Sequence, residues 1–330
     1  MARLARVIVT LVATLCAAAA ALVSGHTGNA WAAGNHTVAT STLATTCDHR
    51  PTSVPVRWYI PTGNPTGLIW LQHGFARTAD NLRVLASSYA DSGLLVAATS
   101  LDSVSVSGCG VAFNATDNTD FIRSLALTFA QGHRPHSAVE QSLSAAARVS
   151  GRPAPRVPDS LVFSGHSAGG EFALTAADAV RTGDPSDYPR LRGLMLFDPV
   201  NSFLGNNFHN SARDLGKAGL PIRVIASQPS LSNTFGQGVR WIERTTRQDF
   251  LGVALTTGIH IDVEGDSTDL IGIASEFAAP RSRNGRVLRR LAAHWTADLF
   301  SGRRTAAYYP GGSYYTLLLS SDTVTTLPVR

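Results

Sequence analysis

An α/β fold, with a mostly parallel central sheet covered by helices on both faces, is what this sequence predicts. Three observations carry that reading. Short apolar runs rich in Val, Leu and Ile alternate with segments of helical periodicity along most of the chain. The pentapeptide Gly165-His166-Ser167-Ala168-Gly169 sits between one such run and a helix former, which marks a sharp strand-to-helix turn. And 330 residues, 44 % hydrophobic and 15 % charged, suffice for one large core, with no internal repeat and no second core in the pattern.

The N-terminus reads as an address rather than as structure. Met1 to Arg6 is a short basic start, Val7 to Val23 is apolar, and Ala30-Trp31-Ala32 places small residues at the positions a signal peptidase needs. Residues 1–32 are therefore expected to be a secretory signal cleaved near Ala32, and Cys16 leaves with it. A retained anchor is the competing reading, but the apolar run stops at Ser24-Gly25-His26, short of a comfortable span. Residues 33–53, rich in Thr, Ser and Ala, read as an N-terminal arm. The main domain is expected over 54–302, with 303–330 as a C-terminal extension packed on it.

Within that domain, Val54–Ile60 and Leu68–Leu71 read as strands separated by the turn Pro61 to Gly67. A helix over 79–91 precedes a buried strand over 94–99, and a loop over 103–118 carries Cys109. Helices follow over 120–130 and 136–149, the second closed by Gly151 and a proline-rich stretch. Leu161-Val162-Phe163 is the strand that leads into the turn, and Ala168 to Thr182 the helix that leaves it. Strands over 191–197, 221–226 and 250–255 come next, with a helix over 238–247 between the last two. A final helix spans 287–300, and the tyrosine-bearing tail is able to add an edge strand.

Charge and cysteines bound the function. The formal charge of +5 falls to about +3 without Arg3 and Arg6, and the remaining cations are scattered, so no nucleic-acid surface is expected. Cys47 and Cys109 are the two cysteines of an exported chain and are expected to pair. No His or Cys cluster has metal-ligand spacing, and neither a metal nor an organic cofactor is expected.

The chemistry concentrates in two motifs. A serine at a tight strand-to-helix turn is held out over the sheet edge, with Gly165 and Gly169 making room on either side. Gln72-His73-Gly74-Phe75 ends an early strand, where the glycine lets the backbone bend so that the Phe75 N–H points toward the serine. The N–H groups of Phe75 and Ala168 would then face a developing oxyanion, while His73 and His166 shape the site. A serine hydroxyl also needs an imidazole to take its proton and a carboxylate to orient that imidazole. His260, which follows the strand over 250–255, is the expected base, with His209 and His294 as rivals. Asp198, at the end of the strand over 191–197, is the expected acid. The next strand end, Ala226 to Asn233, holds no carboxylate, and Asp262, Glu264 and Asp266 are the alternatives.

Gln72-His-Gly-Phe75, Gly165-His-Ser-Ala-Gly-Gly170, Leu196-Phe-Asp-Pro-Val200 and Gly258-Ile-His260 together resemble the secreted α/β-hydrolases related to chlorophyllases and to bacterial cutinase-like polyester hydrolases and lipases. The resemblance spans roughly residues 54–302 and implies an α/β-hydrolase fold. It implies that Ser167 forms an acyl-enzyme with carboxylic esters, that His260 acts as base and Asp198 as its orienter, and that Phe75 and Ala168 form the oxyanion hole. Two departures stand out: Ala168 replaces the methionine usual in polyester hydrolases, and their later acid position is empty. A monomer acting on a small-molecule or lipid-like ester, without stable membrane insertion, is expected. An acyltransferase using the same site, or an inactive binding module, are the alternatives. The segment 201–220, with Phe203, Leu204 and Phe208, is either a pocket rim or core.

Overall fold

The computed structural model describes residues 35–111, 117–202 and 205–329. The expected signal segment, with Cys16 and the cleavage point near Ala32, lies outside the described residues, as do Phe203 and Leu204. Nine strands form one sheet: β1 (His36–Cys47), β2 (Arg50–Pro61), β3 (Leu68–Gln72), β4 (Leu95–Thr99), β5 (Leu161–His166), β6 (Leu191–Phe197), β7 (Ile222–Ala226), β8 (Gly252–Leu255) and β9 (Val324–Thr326). Their order across the sheet is β1-β2-β4-β3-β5-β6-β7-β8-β9. From β4 to β8 neighbours run parallel, whereas β1, β2 and β9 are antiparallel additions at the edges.

The parallel strands are buried on both faces, which explains why they read as continuous apolar runs rather than alternating ones. One face is covered by α2 (Thr119–Ala130), α3 (Ala138–Val149), α4 (Ala168–Gly183), α5 (Asn207–Ala218) and α6 (Gln237–Thr245). There Trp70 of β3 stacks on Phe129 at 4.4 Å and meets Phe163 and Phe172 edge-on. The other face is covered by α1 (Arg83–Asp91), α8 (Ser282–Ser301) and α9 (Ser313–Ser320), where Phe250, Trp295 and Tyr315 pack together. The short α7 (Leu270–Glu276) buries only Gly272. Among the described residues no helix is long and apolar enough to cross a membrane.

The N-terminal arm expected over 33–53 is not an arm. Residues 36–47 pair with all of β2 as a long hairpin, because Leu43, Thr45 and Cys47 alternate inward while Ala44 and Thr46 face out. Low apolar content conceals a strand whose partner supplies most of the burial. Cys47 closes a disulfide with Cys109 that ties this hairpin to the loop after β4. The tail does add an edge strand, β9, and also α9, whose small apolar face the sequence pattern does not single out.

Candidate active site

The loops after β3, β5, β6, β7 and β8 converge on one cavity of about 850 Å³, and Ser167, His260, Gly74, Phe75 and Ala168 all line it. Ser167 joins β5 to α4 with φ 57° and ψ −125°, a left-handed backbone that costs a non-glycine residue about 1–3 kcal/mol. The surroundings hold it there: its N–H donates to Phe197 O (3.1 Å), and its carbonyl accepts from Gly170 N (2.8 Å) and Val200 N (3.0 Å). The two sequence motifs interlock at this point. A Cβ on Gly169 would lie 2.3 Å from the His73 carbonyl oxygen, and one on Gly74 would lie 2.8 Å from Ser167 Cβ. Any side chain at either position would push the turn after β3 away from the serine.

That turn is braced from below. Trp70 Nε1 donates to Thr99 Oγ1 (2.8 Å), which donates to Gln72 Oε1 (2.6 Å). His73 Nε2 accepts from Leu101 N (2.9 Å), so its proton is on Nδ1 and is given to Gly74 O (2.7 Å). Burial pushes the His73 imidazole down to about 4, so the ring stays neutral and keeps this tautomer. Ala168 is the first residue of α4, so its N–H has no acceptor within the helix and lies at the positive end of the helix dipole.

His260 begins a short 3₁₀ turn, 260–263, after β8. Its Nδ1 lies 2.6 Å from Asp198 Oδ2, and both residues are buried. Asp198 itself has φ 43° and is fixed by a ring of donors. Ser227 donates from its N–H (3.1 Å to Oδ1) and from its hydroxyl (2.5 Å to Oδ2), and Asn233 Nδ2 lies 3.3 and 3.1 Å from the two oxygens. Burial works to raise the Asp198 carboxyl, but the His260 ring and Ser227 together hold it below its usual range. Burial likewise opposes charge on His260, while Asp198, with Glu276 and Glu264 farther off, keeps its pKa above the ordinary 6.5.

The position one strand later, where the sequence offers no acid, thus supplies the two donors that anchor the acid of the preceding strand. Ser227 and Asn233 are invisible to a search for titratable groups. The one signal is a run of small polar residues directly after the buried strand β7.

His166 borders the cavity but is buried. Its Nε2 lies 2.9 Å from His260 O, and burial drives its pKa well below the usual value, so a neutral ring supports the His260 backbone. The rival residues fall elsewhere. His294 stacks on Tyr308 at 3.7 Å and His209 packs on Trp241 at 4.1 Å. Asp262 accepts from Ile259 N (3.0 Å) and Arg281 N (2.9 Å), so it orients the loop that carries His260. Glu264 is fully buried and lies 3.2 Å from Arg77 Nε, and Arg77 continues to Asp269 Oδ1 at 2.6 Å. Burial raises Glu264 to about 7 against the pull of Arg77. Glu171, one turn into α4, lines the cavity and accepts from Ser202 N (2.8 Å) and the Ser202 hydroxyl, and burial raises its pKa. The remaining wall is largely apolar, with Val111, Ile122, Phe172, Val200 and Ile261.

A mostly parallel sheet in this strand order, helices on both faces and a serine at the β5–α4 turn define the α/β-hydrolase fold. No family model matches the chain, and no curated protein matches it in sequence. Among solved structures it is similar to a ferulic acid esterase from Streptomyces cinnamoneus, with a TM-score of 0.54 and 14 % identity over 88 % of this chain and 96 % of that one. At that identity the likeness is one of fold.

Proposed function

We propose that this chain is a serine hydrolase of carboxylic esters, with Ser167 as nucleophile, His260 as base and Asp198 as the group that orients the base. The observation that carries the reading is the buried 2.6 Å contact between His260 Nδ1 and Asp198, in a cavity that Ser167 shares with His260. With Nδ1 bound to the carboxylate, Nε2 is the nitrogen that takes the serine proton as Oγ attacks the ester carbonyl. The oxyanion so formed is received by the N–H groups of Phe75 and Ala168, and collapse expels the alcohol, which takes the proton from His260. Water, activated by the same nitrogen, then releases the acid from the acyl-enzyme.

A cavity of about 850 Å³ with mainly apolar walls has the capacity for an acyl or aryl ester of drug-like size, in keeping with the esterase named for its structural neighbour. The Cys47–Cys109 disulfide supports export to an oxidising compartment, consistent with the leader-like N-terminus. Hydrolysis of p-nitrophenyl esters from acetyl to palmitoyl tests the assignment. Ser167→Ala is expected to lose at least ~10³-fold in kcat. Equal activity in the folded variant and the wild type would remove Ser167 from the reaction.

A further inference from the structure

The walls of the cavity are unequal in charge. Among the described residues that line it, Arg77 is the one with a permanent positive charge, against Asp117, Glu171 and Glu264. Arg77 is already engaged, since its Nε lies 3.2 Å from Glu264 Oε1 and its Nη1 2.6 Å from Asp269 Oδ1. That network joins the turn after β3 to the loops after β8. Glu171 lies on α4 and is bonded instead to Ser202, in the loop after β6.

Glu171 is 7 % exposed, and the proposed mechanism gives it no task. Burial raises its pKa, and the groups that oppose the rise, the Ser202 hydroxyl and the N–H groups of Ser202 and Phe208, are neutral donors with no cation among them. Asn201 is equally buried and also lines the cavity. Its Nδ2 donates to Ser202 O at 3.3 Å, which fixes the orientation of the amide and leaves Oδ1 buried, with no hydrogen-bond partner among the described residues. A buried acceptor left unmet is costly. Two acceptors, one a carboxylate bonded to neutral donors alone, are thus joined through Ser202 on the cavity wall.

We propose that Glu171 and Asn201 form a subsite for a protonated amine carried by the ester substrate. The identity of the group follows from what the wall lacks. A hydroxyl has one proton to give and lone pairs that need donors of their own, whereas an ammonium group has three donors and no acceptor, enough for the carboxylate and the amide oxygen together. It also brings the positive charge that the neutral donors around Glu171 do not supply, and charge-assisted hydrogen bonds are the stronger ones. Glu171 lies one turn beyond Ser167 on α4, roughly 6 Å along the helix axis, so the amine belongs at the end of a short methylene chain that the apolar walls accommodate. This inference rests on the ester-hydrolase reading.

The test compares methyl 6-aminohexanoate with methyl 6-hydroxyhexanoate, esters of like size, at about pH 8, where the alkylamine is protonated, with acid release followed by pH-stat titration. The wild type is expected to favour the amino ester in kcat/KM by at least about tenfold. Glu171→Gln, which keeps the size of the side chain but not its charge, is expected to lower that ratio at least about tenfold. Asn201→Ala removes the second acceptor and is expected to lower it severalfold. Any distortion of the cavity acts on both esters and cancels in the ratio. A wild-type ratio near one, or a ratio that either substitution leaves unchanged, overturns the proposal. If neither ester turns over, calorimetry with n-hexylammonium chloride decides: binding that Glu171→Gln abolishes keeps the subsite and refutes the hydrolase, and absence of binding overturns the subsite as well.

Discussion

Asn233→Ala probes the support of Asp198 without replacing any of the three side chains of the proposed triad. Asn233 is 1 % exposed, and its Nδ2 lies 3.1 Å from Asp198 Oδ2 and 3.0 Å from Ser227 Oγ. Its Oδ1 accepts from Ser230 N (2.8 Å) and Gly236 N (2.9 Å), so one side chain links Asp198 to the loop after β7. A hydrogen bond to a charged acceptor contributes about 1.5–3 kcal/mol, and the two loop N–H groups would lose their acceptor as well. If the carboxylate is displaced from His260, the same energy appears in the barrier and kcat/KM falls about 10- to 150-fold. If the carboxylate instead stays beside His260, it has fewer donors and interacts more strongly with the protonated imidazole, so the acid limb of the pH–rate profile is expected to move to higher pH. Urea denaturation gives the stability loss, and hydrolysis of p-nitrophenyl butyrate across pH 5–9 gives the rest. A folded variant with unchanged kcat/KM and an unmoved acid limb would refute the reasoning, because a merely structural asparagine would lower stability alone.

Three further outcomes follow from the same geometry. In the proposed mechanism His260 must be neutral to accept the serine proton, and its pKa is raised by Asp198 against burial, so activity is expected to fall with decreasing pH at a midpoint above 6.5. In folding, the raised pKa gives stability that is complete below pH 6.5 and is lost as pH rises through the native value; Asp198→Asn is expected to bring the kinetic limb down. Glu264 titrates at about 7 in the native protein against 4.5 unfolded, so the native state holds the proton more tightly and loses stability as pH climbs between those values. Thermal midpoints from pH 4.5 to 7 are therefore expected to fall less in Glu264→Gln than in the wild type, and parallel curves would count against a buried, titrating carboxyl. Replacing both Cys47 and Cys109 with serine opens a loop of 62 residues in sequence separation and is expected to cost about 2–5 kcal/mol in chemical denaturation, with little effect on kcat.

The sequence by itself determined the layered α/β architecture, because strands buried on both faces must be nearly all apolar and the helices between them carry one apolar stripe. It also located the serine turn and the glycine turn after β3, where local backbone geometry restricts the residue types. Both turns depend on steric demands that short motifs record. It did not determine that 36–47 is a strand, since an edge hairpin draws its burial from a partner that composition does not name. Nor did it single out Ser227 and Asn233, whose neutral side chains acquire meaning only beside Asp198, 29 and 35 residues earlier in the chain. The close contact of His260 with Asp198 and the neutral His73 and His166 that brace the site are decisions of the tertiary structure. Each depends on which loops the sheet order brings to one end, and loop-to-loop contact across the sheet has no periodic signature in the chain.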